Sequence, residues 1–80
     1  MKARVFVSLK KTVLDPQGKT IHASLRNLGY VAVRDVRQGK FFEMELDSGL
    51  SRQEAQMEVE RMARNVLTNP VIEEFSYEIE

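Results

Sequence analysis

Apolar and polar residues alternate from Ala3 to Lys10: Ala3, Val5, Val7 and Leu9 fall on one face, Arg4, Phe6, Ser8 and Lys10 on the other. A period of two is that of a strand with one buried face. The period lengthens after Pro16, where Ile21, Leu25 and Leu28 recur at i, i+4 and i+7 and form one apolar stripe of a helix ending near Leu28. Asp15 suits the N-cap, Pro16 the first helical position and Gly29 a left-handed stop. Alternation returns in Tyr30–Arg37, where Val31 and Val33 share a face and Val36 is out of phase, which predicts a bulge near Arg34–Asp35. Gln38–Gly39 offers a hairpin turn into a third strand, Lys40–Asp47, with Phe42, Met44 and Leu46 on its inner face. Ser51 and Glu54 make a capping box, and Ala55, Val59, Met62, Ala63, Val66 and Leu67 follow at helical spacing until Asn69–Pro70. The last strand is Val71–Ile79, with Val71, Phe75, Tyr77 and Ile79 on one face and Glu73 interrupting it.

This order, βαββαβ, predicts an α+β fold in a single domain over residues 1–80. The economical arrangement is a two-layer sandwich with two helices on one face of an antiparallel sheet. Right-handed crossovers make it a ferredoxin-like plait or a strand-exchanged relative. The second sheet face mixes Phe6, Phe41 and Ile72 with Arg4, Ser8, Glu43, Glu45, Ser76 and Glu78. It is too apolar to be idle and too polar for a core, which suits an interface. Gly18 stands in the first turn of a helix, where glycine costs roughly 1 kcal/mol relative to alanine. Its presence points to close approach of another backbone or a ligand. On propensity alone, Gly18→Ala is expected to be neutral or slightly stabilising in the isolated chain.

Composition narrows the chemistry. The chain has no cysteine and one histidine, His22, so disulfides, thiolate metal sites and His clusters are excluded. No apolar run approaches the ~20 residues of a membrane span, and the start is a strand pattern, so a soluble cytoplasmic protein is the expectation. Net charge is zero, yet residues 1–40 carry nine Lys/Arg against two Asp/Glu and residues 41–80 carry three against ten. The halves either neutralise each other within one fold or meet between chains.

No catalytic constellation emerges. His22 lies off the apolar stripe and is expected to be solvated, and no serine has a nucleophile context. Glu73 and Glu74, as strand neighbours, point to opposite faces. The glycines are scattered and build no phosphate loop. An RNA-binding plait would use Phe6 and Phe41 on the first and third strands, but Glu43 and Glu45 share that face and would repel phosphate. A dimeric small-molecule-sensing regulatory plait domain is the main alternative, because such domains place a glycine near the first strand-to-helix turn, as Gly18 is.

Three segments together resemble a known family. The run Leu9-Lys10-Lys11-Thr12-Val13-Leu14-Asp15-Pro16-Gln17-Gly18, then Leu28-Gly29-Tyr30 with Val33 and Val36-Arg37-Gln38-Gly39-Lys40, then Asn69-Pro70-Val71-Ile72-Glu73, resemble PurS, the small subunit of phosphoribosylformylglycinamidine synthase. The resemblance covers nearly the whole chain. Ala63, where members often have a cysteine, and Thr68 depart from the pattern.

The resemblance implies a non-catalytic subunit of a glutamine-hydrolysing, ATP-dependent ligase of de novo purine biosynthesis. That enzyme converts formylglycinamide ribonucleotide to the amidine. The chain would bridge the synthetase and glutaminase subunits, which use ATP, Mg and glutamine, and would assist ammonia transfer. It would bind no cofactor or metal itself, form a homodimer or tetramer, and meet neither nucleic acid nor membrane. Expected partner contacts are Asp15, Pro16, Gln17, Gly18, Arg37, Gly39, Lys40, Asn69, Pro70 and Glu73. Expected contacts between copies are Phe6, Phe41, Arg34, Glu74 and Glu78.

Overall fold

The alternation in the first strand decides where the core lies. In a computed structural model describing residues 1–80, Ala3, Val5 and Val7 of β1 (Lys2–Leu9) are buried beneath a single helix. The elements that follow are α1 (Pro16–Asn27), β2 (Gly39–Glu45), α2 (Arg52–Met62) and β3 (Glu73–Ile79). The sheet is antiparallel with β1 in the centre, in the order β2-β1-β3, so this is a two-layer α+β sandwich consistent with a ferredoxin-like plait.

The helical layer is built by α2. Ser51 accepts from the Glu54 N–H and Glu54 returns a bond to the Ser51 N–H, the reciprocal cap its sequence predicts. Ala55, Val59 and Ala63 are fully buried against Ala3, Val5, Val7 and Ile79, and Phe42, Met44, Leu46, Met62, Leu67, Phe75 and Tyr77 pack around them. Past Met62 the helix widens into a π-helical turn, Ala63–Leu67, where the Thr68 hydroxyl donates to the Ala63 carbonyl at 2.8 Å. Small residues at 55 and 63 let the helix approach the sheet closely.

Four strands are expected from the pattern and three form. Residues 30–38 are irregular and leave the sheet. The Gln38–Gly39 hairpin is therefore not made, and the bulge expected near Arg34–Asp35 has no ladder to interrupt. Two contacts explain this. The Gln38 N–H is held by the Asp15 carboxylate, and Gly39 enters β2 directly opposite Ser8. A Cβ on Gly39 would lie 2.5 Å from the Val7 carbonyl oxygen, so this glycine serves close strand approach and not a turn.

Helix α1 forms with the expected ends: Asp15 accepts from the Gly18 N–H at 3.0 Å, and Gly29 follows at φ 97°. Yet Gly18 is its sole buried residue, and the helix makes almost no contact with the sheet. The helix and residues 28–38 together project as an arm. The molecule measures 51 × 25 × 14 Å with a radius of gyration of 16.1 Å, where a compact chain of this length has about 12 Å.

The two charge halves do meet within the chain. Lys2–Glu43, Arg4–Glu43, Arg4–Glu80 and Lys40–Glu73 join the basic half to the acidic one. The Arg4 guanidinium and Lys2 hold the Glu43 carboxyl below its ordinary range, and Arg4 is raised in turn. The arm's cations Lys19, Arg26, Arg34 and Arg37 have no carboxylate partner.

Candidate functional site

The first and third motif segments and the Val36–Lys40 part of the second, far apart in sequence, converge on one end of the sheet, while Leu28–Tyr30 lie on the arm. Antiparallel pairing brings the end of β1 beside the starts of β2 and β3: Ser8 faces Gly39 and Leu9 faces Glu73. The loop after β1 then carries Asp15 into the gap. Its exposure is only 4%, and both carboxylate oxygens are used, Oδ1 by the Gly18 N–H at 3.0 Å and Oδ2 by the Gln38 N–H at 2.6 Å. Those backbone bonds, first from Gln38 and then from Gly18, with the Arg37 charge nearby, hold the Asp15 carboxyl below its usual range.

Arg37 completes the joint. Its Nη2 donates to the carbonyls of Lys10 at 3.0 Å and Val13 at 2.9 Å, which fixes the loop between β1 and α1. The Gln38 side chain bonds that of Gln17. Gly18 packs directly on the returning backbone: an added Cβ would sit 2.2 Å from the Val36 carbonyl oxygen. The close approach expected from the sequence is thus to another stretch of backbone. The expectation that Gly18→Ala would be neutral in the isolated chain is overturned, because backbone and not a flexible side chain occupies the space.

The third segment closes the other side. The Asn69 carbonyl accepts from Ile72 and Glu73, its side chain accepts from the Val71 N–H, and the Glu73 carboxylate accepts from the Asn69 N–H at 2.7 Å. The Lys10 N–H donates to the Ile72 carbonyl at 2.8 Å, tying this turn to the end of β1. Lys40 Nζ lies 3.8 Å from Glu73. Between the segments is a hollow of about 250 Å³ lined by Asp15, Gln17, Gln38, Gly39, Lys40 and Glu73 among others. Drug-sized ligand pockets are larger, roughly 300–1,000 Å³.

All the residues expected to touch partners thus sit at one end, in two roles. Asp15, Gly18, Arg37 and Gly39 are spent holding the joint together. Pro16, Gln17, Lys40, Asn69 and Pro70 are exposed on its surface, and Glu73 is half-buried beneath them. The Asp15 oxygens are occupied by amides and the Arg37 guanidinium by carbonyls. What it offers is a rigid polar surface with fixed donors and acceptors.

His22 is a correction. It was expected in solvent, but it is half-buried, and its Nε2 lies 2.8 Å from the Val33 carbonyl oxygen, clasping α1 to the returning limb. Sequence reasoning also missed Gln38. The signals were present: a histidine one step off an apolar stripe, and a valine out of phase at 36.

The residues expected between copies divide as well. Phe6 and Phe41 stack at 6.0 Å with an interplanar angle of 24° on the open sheet face. With Ser8, Gly39, Glu74 and Ser76 they border a hollow of about 440 Å³. Glu78, paired to Arg4 in the ladder, shares that face, whereas Arg34 lies on the arm.

The chain matches the family described as PurS, phosphoribosylformylglycinamidine (FGAM) synthase, over residues 2–80. It is 40% identical over 79 residues to the phosphoribosylformylglycinamidine synthase subunit PurS of Bacillus subtilis, covering 99% of this chain and 92% of that one. Identity to the PurS subunit of Methanocaldococcus jannaschii is 37% over 79 residues, covering 99% and 94%. Among solved structures, the M. jannaschii PurS superposes with a TM-score of 0.87 at 35% identity, over 99% of this chain and 94% of the other. A chain in the structure of PurLQS from Thermotoga maritima gives 0.87 at 30% identity, over 96% and 93%.

Proposed function

The chain belongs to the PurS family, and on that premise we propose that it is the non-catalytic small subunit of phosphoribosylformylglycinamidine synthase in purine biosynthesis. It bridges the synthetase and glutaminase subunits. Those subunits carry the ATP-, Mg- and glutamine-dependent chemistry, and this chain assists passage of ammonia between them. The observation that carries the reading is the meeting of the first and third family-like segments with Val36–Lys40 of the second in one hydrogen-bonded joint, where Asp15 and Arg37 are occupied by backbone groups.

The exposed rim of that joint, Pro16, Gln17, Lys40, Asn69 and Pro70 with Glu73 beneath, is the surface for the larger subunits. Asp15, Gly18, Arg37 and Gly39 act by holding it in shape. The chain works as a homodimer or tetramer. Arg34 on the arm, and Phe6, Phe41, Glu74 and Glu78 on the open face, are the surfaces available to further copies.

Reconstitution tests the reading. Leaving the chain out should abolish glutamine-dependent amidine synthesis and spare part of the ammonia-dependent reaction. Equal loss of both, or synthesis unchanged without the chain, overturns it.

A further inference from the structure

The glycine that lets β2 approach β1 also opens a notch on the face of the sheet away from α2. Side chains of neighbouring strands stand in rows across that face. One row is Phe41, Phe6 and Ser76, and the next is Gly39, Ser8 and Glu74. Gly39 has no side chain, and none fits so near the Val7 carbonyl, so the second row is open where the first is filled by two rings. The result is the hollow of about 440 Å³ bordered by the stacked pair Phe6 and Phe41 and by Glu74.

The groups around this notch are uncommitted. Phe6 and Phe41 are 39% and 60% exposed. Lys40 lies over Phe42 on the opposite side of the sheet, so its charge is not spent on either ring. The Ser8 and Ser76 hydroxyls flank the hollow. The surrounding face is acidic: Lys2 and Arg4 are taken up by Glu43 and Glu80, whereas Glu45, Glu74 and Glu78 have no cation at ion-pair distance.

We propose that this notch receives an arginine side chain of a protein partner. A guanidinium is planar, stacks on aromatic faces and forks onto a carboxylate, so it matches two rings, a carboxylate and two hydroxyls better than a lysine ammonium does. The acidic face steers a basic segment toward the notch and turns nucleic acid away. A second open face does not supply the group, since its own Lys2 and Arg4 are already paired. Gly39 and Lys40 border both this notch and the hollow of the joint, so the notch continues the rim assigned to the larger subunits. The inference rests on that reading in taking the arginine from one of them, and adds the group that subunit must present.

Amide and ring shifts of the full chain, titrated with the capped tripeptide Gly-Arg-Gly and with its neutral citrulline counterpart, test the chemistry. The arginine peptide should give saturable shifts at Phe6, Phe41 and Glu74 at millimolar concentration and the citrulline peptide none, and Glu74→Gln should weaken binding about tenfold. No saturable shift, equal shifts with citrulline, or binding indifferent to Glu74→Gln overturns the proposal whatever the partner. So do shifts at these residues that follow chain concentration without peptide, the mark of a second copy in the notch. Calorimetry with the larger subunits tests the source. Phe41→Ala and Glu74→Gln, both at exposed positions, should each weaken assembly about tenfold. Glu74→Gln should leave the unfolding midpoint little changed, which keeps the test sound if Phe41→Ala loosens β2. A complex weakened by Lys40→Glu but indifferent to both substitutions overturns the notch and leaves the rim standing. Larger subunits that ignore the unaltered chain overturn the rim, and the source of the arginine with it.

Discussion

The body and the arm are ordered by different physics. In the body, seven buried apolar residues on β1, α2, the π-helical turn and β3 exclude water from one core, and the shape follows from burial. In the arm the buried residues are Asp15 at the cap and Gly18 in the helix, both at the root, and the shape follows from directed hydrogen bonds and one tight backbone crossing. A core stabilises whatever surrounds it. A hydrogen-bonded joint sets direction but adds little stability, since each bond nets only ~1 kcal/mol against water.

That contrast is open to breakage by substitution. The largest effect belongs to the body: Val59→Ala removes fully buried methyl groups and should lower unfolding stability by about 2 kcal/mol in chemical denaturation. Leu28→Ser in the arm, three-quarters exposed in the single chain, should change monomer stability by no more than ~0.5 kcal/mol while weakening self-association. Equal losses at the two sites would erase the distinction.

Gly18→Ala comes next. It forces a Cβ against the Val36 carbonyl and should cost about 1–2 kcal/mol, read as loosening of the arm root in amide exchange at Gln38 before the core yields. Acid acts at the same place. The folded pKa of Asp15 lies below its unfolded value, so its contribution is full above the ordinary carboxylate range and is lost as pH falls through the folded value. The Gln38 and Gly18 amides should therefore lose protection at acid pH ahead of the β1 amides, and Asp15→Asn should flatten that dependence. At the clasp, His22→Ala should cost about 1 kcal/mol, confined to the arm.

Sequence periodicity revealed β1, both helices and the last two strands within a few residues, because each has a face buried against the core or a cap with local chemistry. It misplaced residues 30–37, whose alternation is real but which leave the sheet, the limb being fixed at its root by Asp15 and Arg37. It placed His22 in solvent for a similar reason: the residue bonds a carbonyl eleven positions away, and helical spacing says nothing of that. The candidate site was legible as three motif segments. Their convergence was not, since it depends on strand register at Ser8–Gly39 and Leu9–Glu73. Nor did the motifs separate the residues that build the joint from those that face outward, because burial at Asp15 and exposure at Lys40 are products of packing.

The central claim is that the exposed rim of this joint holds the larger subunits. Calorimetric titration of the synthetase and glutaminase subunits, with glutamine and ADP present, compares the unaltered chain with Lys40→Glu. Lys40 is exposed and its one ion pair, to Glu73, is long at 3.8 Å, so the fold should persist with its unfolding midpoint little changed. The account predicts binding weakened about tenfold or more by the reversed charge on the rim. Unchanged affinity, with the chain folded and its own assembly intact, would contradict it.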